Sequence, residues 1–151
     1  MICIFLGHRD APSKVKEPLK IEIEKLLIEG VKEFYVGNNG NFDYYVQSVL
    51  TELYNERKDF SFSVILSRIS ENAIYADQSY TLYPEGLENV PPRFAISKRN
   101  DIMIKKGKIA ITFVKHSFSN SYKLQEKARK KGLRIINLAE AIEKTTIATL
   151  A

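Results

Sequence analysis

Three short loops contain the residues best suited to chemistry. They are Gly7-His8-Arg9, the run from Gly37 to Asp43 and the run from His116 to Ser121, and each follows a short apolar run. Loops of Gly, Asn, Ser and Arg suit phosphate, because backbone N–H groups at a helix N-terminus attract anions. In open α/β sheets, ligands bind in the crevice beyond the carboxyl ends of the strands. The loops therefore predict a pocket for a nucleotide-type ligand.

The first loop combines a tight turn with a cation. Gly7 permits a close turn, and the guanidinium of Arg9 can bind a phosphate or a carboxylate with two parallel hydrogen bonds. A surface arginine that follows a strand would have the same pattern. His8 can titrate near neutrality, but a structural hydrogen bond would account for it equally well.

The second loop has two glycines, Gly37 and Gly40, with Asn38 between them. It does not match the dinucleotide fingerprint, which needs a third glycine and follows the first strand. Simple turn chemistry explains a pair of glycines. Asp43 stands at the expected start of a helix, where it either caps that helix or accepts a hydrogen bond from a ribose or a base.

The third loop is followed by a basic helix. His116, Ser117, Ser119, Asn120 and Ser121 open this helix. Their hydroxyl and N–H groups predict a phosphate cradle. Lys123 and Glu126 lie in its first two turns, three residues apart, so an ion pair on the helix surface is the plain alternative.

A further arginine is expected near the core. Arg99 and Met103 are four residues apart in a predicted helix over 94–105, so they share one face. Phe94, Ile96 and Met103 are expected to be partly buried. Arg99 then needs an anionic partner, either a ligand or a neighbouring carboxylate.

Apolar runs alternate with amphipathic segments along the chain. Strands are predicted over 3–6, 34–36, 60–66, 109–114 and 133–136, with a short strand at 80–83 inside an aperiodic insert. The alternation predicts one domain over residues 1–151 with a Rossmann-like α/β/α fold. Its mainly parallel sheet has about five strands in the order 3-2-1-4-5. The first and fourth strands then lie side by side, which brings Gly7 and His116 together.

Composition excludes several classes of protein. The chain has 151 residues, a net charge of +5 and one cysteine, so no internal disulfide is expected. No apolar run approaches the length of a membrane span, and a cytoplasmic protein without metal or cofactor is predicted.

The lysine clusters at 105–108 and 127–131 are interpreted as solvated helix ends and faces, and the basic residues are scattered along the sequence. Nucleic acid is therefore not the expected partner.

Taken together, these motifs resemble the SLOG superfamily, which joins the Lonely Guy phosphoribohydrolases to the DNA-processing protein DprA and to nucleotide sensors. The resemblance covers residues 3 to 138 and is closest to small stand-alone bacterial or phage members. The motifs that carry it are Gly7-His8-Arg9, Gly37-x-x-Gly40-x-Phe42-Asp43, Tyr83-Pro84-Glu85, Arg99-Asn100-x-x-Met103 and the stretch from His116 to Glu126.

The resemblance implies a phosphorylated nucleoside or an NAD-derived ligand such as an ADP-ribose-like molecule. Arg9, Arg99 and Lys123 would neutralise phosphates, the loops 37–40 and 117–121 would donate N–H groups, and Asp43 and Glu85 would contact ribose or base. It also implies a homodimer or a homotetramer.

Two other activities occur in the same superfamily. A phosphoribohydrolase would use Arg99 and Glu126, which match the arginine and glutamate of the Lonely Guy motifs. The glycine-rich part of those motifs is replaced here by Ser119, Asn120 and Tyr122. The third alternative is a DNA-binding protein like DprA, which ranks last because the basic residues are scattered.

Overall fold

A parallel sheet of six strands forms the centre of the molecule, with strand order β4-β3-β2-β1-β5-β6. The computed structural model describes residues 1–68 and 81–143. The strands are β1 (Ile2–Gly7), β2 (Glu33–Val36), β3 (Ser61–Ile65), β4 (Thr81–Leu82), β5 (Ile109–Phe113) and β6 (Arg134–Asn137). The helices are α1 (Lys16–Glu29), α2 (Asn41–Arg57), α3 (Pro92–Lys106) and α4 (Asn120–Lys130), and residues 138–143 are also helical.

The predicted three-layer α/β fold is confirmed. The five main strands have the expected order, and β4 adds a sixth strand beside β3, where Thr81 pairs with Val64. β1 lies between β2 and β5, so its end is next to the end of β5. The loops after these two strands therefore open at the same edge of the sheet, as the strand order requires.

Successive residues of β1 contribute to two separate cores, because neighbouring side chains in a strand point to opposite faces. Cys3 and Phe5 pack with the apolar residues of α1 and α2. Ile4 and Leu6 pack with Met103 and other apolar residues of α3 and α4. Helices α1 and α2 thus cover one face of the sheet, and α3 and α4 cover the other.

The terminal helix predicted from Leu138 onward is helical over 138–143, and the rest of that prediction lies outside the described residues. Phe94, which is expected to be partly buried, is 50% exposed, whereas Met103 is 1% exposed. The guanidinium of Arg93 lies over the ring of Phe94, 4.7 Å from its centroid, and this cation–π contact is compatible with solvent exposure.

Within the described parts of the chain, no helix is both long and apolar enough to cross a membrane.

Candidate ligand-binding site

A cleft of about 640 Å³ opens at the carboxyl end of β1, between the first turns of α4 and the first nine residues of α3. Its walls come from four parts of the chain that are distant in sequence. The lining residues are Phe5, Leu6, Gly7, His8, Arg9, Asp10, Asn39, Asp43, Arg93, Ile96, Ser97, Arg99, Asn100, Ser119, Asn120, Ser121, Lys123 and Leu124. The cleft therefore lies where the strand order predicts a ligand site.

The charged groups that line the cleft are mostly positive. Arg9, Arg93, Arg99 and Lys123 contribute cations, whereas Asp10 and Asp43 contribute carboxylates. Arg9, Arg93 and Lys123 are exposed and can reach a ligand in the cleft. The excess of positive charge favours an anionic ligand.

Arg99 is 2% exposed and forms the floor of the cleft. Its Nη1 donates to Asn39 Oδ1 at 2.7 Å and to the carbonyl oxygen of Ile65 at 3.4 Å. Its Nε and Nη2 donate to Asn100 Oδ1 at 3.2 and 3.0 Å. These contacts fix the guanidinium plane, so Arg99 connects α3 to β3 and to the loop before α2.

Asp43 lies at the start of α2 and beside the cleft. Helix α2 begins at Asn41, and Oδ2 of Asp43 in its first turn accepts the N–H of Asn39 at 3.0 Å. This bond satisfies a backbone donor just before the helix, which is a capping function. Asp43 is only 8% exposed and also lines the cleft.

The N-terminus of α4 forms one side of the cleft. Ser119 caps this helix: its Oγ accepts the N–H of Tyr122 at 3.1 Å, and its carbonyl accepts that of Lys123 at 3.2 Å. The first N–H groups of a helix have no partner inside it. In the described part of the chain, the N–H groups of Asn120 and Ser121 make no such bond. Both residues line the cleft, so these donors are available to an anion.

His8 has a structural hydrogen bond as well as a place in the cleft. Its Nε2 accepts the N–H of Lys115 at 2.8 Å, and its ring packs edge-on against Phe113 and 5.3 Å from the ring of His116. Burial, followed by the nearby charge of His116, lowers the pKa of His8. The neutral imidazole is therefore the form that holds the loop after β5 in place.

Most of the loop over 37–40 supports the cleft wall from behind, and Asn39 lines the cleft. Gln47 donates to the carbonyl of Gly37 at 3.1 Å and to Asn38 Oδ1 at 2.8 Å. A Cβ atom at Gly40, whose φ is +93°, would lie 2.8 Å from the Cα of Arg9. Gly37, Asn38 and Gly40, expected to bind ligand, thus pack the loop closely against its neighbours. Asn39 is the residue of this loop that lines the cleft.

Gly7 has a packing role in addition to its place in the cleft. A Cβ atom at Gly7 would lie 2.4 Å from the ring of Phe42. The glycine therefore lets the end of β1 approach the start of α2, which brings the first two loops together.

Four other candidates lie away from the cleft lining. Glu85, His116 and Ser117 are exposed and do not line it. Glu126 also lies outside it and accepts a hydrogen bond from Arg129 Nε at 3.2 Å. The surface ion pair anticipated for Glu126 exists, but with Arg129 instead of Lys123.

Several lining residues were absent from the predicted set. Asp10, Arg93, Ile96, Ser97 and Leu124 line the cleft, in addition to Asn39. Asp10 directly follows Arg9, so its position after β1 could have identified it. Arg93 has no comparable signal, because its place depends on how α3 crosses the sheet.

Within residues 1–68 and 81–143, no three His, Cys, Asp or Glu side chains are grouped as metal ligands. No protein-family model and no curated protein matches the chain.

Proposed function

We propose that this protein binds a phosphorylated nucleoside or an NAD-derived nucleotide in the cleft at the carboxyl edge of the sheet, as a sensor or sequestering module. One observation carries the proposal. Arg9, Arg93 and Lys123 converge with buried Arg99 on a cleft that also contains the first turn of α4. Side-chain cations and unpaired helix N–H groups together are the usual means of binding phosphate.

The other walls of the cleft suit the rest of a nucleotide. The partly buried side chains of Ile96 and Leu124 offer an apolar surface to a base. The exposed carboxylate of Asp10 can accept hydrogen bonds from ribose hydroxyls, as acidic residues do in other nucleotide sites. A volume of about 640 Å³ is in the range of small-molecule sites.

The proposal includes membership of the SLOG superfamily and assembly into a homodimer or homotetramer. Support for membership comes from the parallel sheet and from the position of Gly7, Asp43 and Arg99 around one cleft. The phosphoribohydrolase alternative has less support, because Glu126 lies outside the cleft lining and pairs with Arg129.

Thermal unfolding with candidate ligands tests the proposal. The ligands are AMP, ADP-ribose, NAD, cyclic ADP-ribose isomers and cyclic dinucleotides, and each mixture is afterwards separated by chromatography. A ligand at about 100 times its Kd adds about 2.7 kcal/mol to the free energy of unfolding. We expect at least one to raise Tm and to be recovered intact.

Two lysine variants of α4 provide the matched comparison. Lys123→Gln removes a cation from the cleft, whereas Lys130→Gln removes one from the exposed end of the same helix. The first should weaken binding about tenfold, as expected for a charged hydrogen bond of about 1.4 kcal/mol. The second should leave binding unchanged. The proposal would be contradicted if the two variants weakened binding equally, or if none of the tested ligands raised Tm. Chemical conversion of the ligand would show that the protein is an enzyme.

A further inference from the structure

The two helical layers differ sharply in charge. Helices α3 and α4 contain nine Lys and Arg residues and two acidic residues, whereas α1 and α2 contain four basic and seven acidic residues. The basic residues are scattered along the sequence, but the fold gathers them on one face of the sheet. Most of the chain's positive surplus therefore lies on the α3–α4 layer.

A second groove, which shares no lining residue with the cleft, concentrates this charge. The groove has a volume of about 490 Å³ and extends from the middle of α3 to the C-terminal ends of α3 and α4, beside the residues that lead into β5 and β6. Its lining contains Lys98, Lys105, Lys108, Lys127 and Lys131, all exposed, and one acidic residue, Asp101. Asp101 pairs with Lys127 at 2.5 Å.

The helix dipole explains only part of this cluster. Cations in the last turn of a helix are stabilised by the partial negative charge of its C-terminus. Lys105 and Lys131 occupy such positions. Lys98 is in the middle of α3 and Lys108 follows its end, so the dipole of a last helical turn does not account for their place in the groove.

We infer that this lysine groove binds the phosphate backbone of nucleic acid without regard to sequence. Lysine ammonium groups neutralise phosphates as point charges, and such contacts supply most of non-specific affinity. Apart from Asp101, the polar side chains that line the groove are all lysines, without the Arg, Asn or Gln side chains that make two-point contacts with a base. Flexible ammonium groups of this kind suit the charge of the backbone better than the pattern of the bases.

The apolar residues of the groove argue against a membrane surface as the partner. Helices that lie on membranes present large exposed apolar side chains beside their cations. In the groove, Ile104 and Leu133 are buried and Ile102 is partly buried. The large exposed apolar side chains of the described chain, such as Phe94 and Phe118, lie outside this groove.

Salt-dependent binding tests the inference. Fluorescence anisotropy measures binding of the full chain to a short labelled duplex of mixed sequence, from about 50 to about 200 mM salt, the range over which counterion release is large. If the protein neutralises four phosphates, a plot of the logarithm of the binding constant against the logarithm of the salt concentration should have a slope of about −3.6. We expect a scrambled duplex to give the same slope.

Two triple variants remove equal charge from opposite faces. Lys105→Gln, Lys108→Gln and Lys131→Gln together should reduce the slope by about three. Lys14→Gln, Lys25→Gln and Lys32→Gln together remove three exposed lysines from α1 and its flanks and should leave the slope unchanged. Replacing the three groove lysines by arginine keeps the charge and should restore binding, which separates lost charge from lost folding.

Three outcomes would overturn the inference. They are no binding at the lowest salt, equal weakening by the two glutamine variants, and binding to vesicles of anionic lipid without binding to the duplex. Because the groove and the nucleotide cleft share no lining residue, Lys123→Gln should change ligand binding while it leaves the groove lysines in place. The two proposals can therefore fail independently.

Discussion

The carboxylate of Asp43 and the guanidinium of Arg99 face each other across Gly37. A Cβ atom at Gly37 would lie 2.6 Å from Asp43 Oδ2 and 2.9 Å from Arg99 Cζ. The opposite charges border the space that a side chain at Gly37 would fill, just after β2 ends. Gly37 thus lets an acidic residue of α2 and a basic residue of α3 approach at the carboxyl edge of the sheet, and both of them line the cleft.

Gly37→Ala should therefore destabilise the protein. Asp43 and Arg99 are both buried and hydrogen-bonded, so neither can move aside into solvent. Overpacking of this kind costs about 1–3 kcal/mol. Urea unfolding should show this loss, and ligand binding should weaken as the floor of the cleft shifts.

Gly132→Ala is the comparison for this variant. Gly132 has a φ of +92° with no neighbouring atom within 4 Å of a Cβ, so alanine meets backbone strain without crowding. It should cost about 1 kcal/mol and leave ligand binding unchanged. A Gly37→Ala protein with wild-type stability would show that Asp43 and Arg99 are not held in place.

Arg99→Met should cost about 3 kcal/mol of unfolding free energy. The variant keeps most of the side-chain volume but removes a buried cation that donates to Asn39 and Asn100. Partly buried acceptors that lose their donor, and the buried carboxylate of Asp43 beside the lost cation, are expensive. Arg129→Met on α4 should cost less than about 1 kcal/mol, because Arg129 makes only a surface pair with Glu126. Equal losses in the two variants would contradict a structural role for Arg99.

Stability should depend on pH through His8. Burial and the charge of His116 lower the pKa of His8 below its ordinary value of 6.5. The unfolded chain then takes up a proton at higher pH than the folded chain. The free energy of unfolding therefore falls as the pH drops through 6.5, and the contribution of His8 is complete above that value.

His8→Gln isolates this effect. A glutamine carbonyl can still accept the N–H of Lys115, but it does not titrate. In urea unfolding across this pH range, the wild-type protein should lose stability relative to His8→Gln as acid is added. His116→Gln, which leaves the His8–Lys115 bond intact, should retain most of the wild-type dependence. Parallel pH curves for wild type and His8→Gln would assign the dependence to another group.

The fold is predictable because the spacing of apolar residues that marks a helix or a strand can be read within each segment of the sequence. Alternating apolar runs and amphipathic segments identify five strands and their order. The short strand predicted at 80–83 is present as Thr81–Leu82, but a segment of this length shows no period that would place it in the sheet. The position of a loop after a strand likewise identifies Gly7, Arg9 and Lys123 as neighbours of one cleft.

The rest of the site depends on packing between distant segments. Arg93 reaches the cleft because of the way α3 crosses the sheet, and no local pattern records that angle. Gly40 has the type and position of a ligand-binding glycine, but it accommodates the backbone of Arg9. The lysines of the groove are similarly scattered in sequence and become a cluster only when α3 and α4 pack side by side.

A buried hydrogen bond ties α4 to the sheet and gives a further prediction. Thr112 Oγ1 donates to Gln125 Oε1 at 2.5 Å, and both residues are buried. Thr112→Val leaves the amide without this donor and should cost about 1–3 kcal/mol. Thr112→Ser retains the hydroxyl and should cost less, and Thr112→Val combined with Gln125→Leu should recover part of the loss. Unfolding curves that show no such recovery would mean that the two residues are not coupled.

Ser119 allows stability and ligand binding to be separated. Ser119→Ala removes the cap of α4 and should cost about 1 kcal/mol of unfolding free energy. Ser119→Asp retains a capping oxygen, and its charge is favourable at a helix N-terminus, so stability should stay at or above the wild-type value.

The same aspartate should weaken binding of a phosphorylated ligand, because its charge competes for the donors of Asn120 and Ser121. Thermal unfolding without ligand and with the stabilising nucleotide measures both effects on one protein. A Ser119→Asp protein that is stable but no longer stabilised by the nucleotide would support phosphate binding at the first turn of α4. If Ser119→Asp binds as tightly as the wild type, the phosphate must lie elsewhere in the cleft, nearer Arg9 and Arg93.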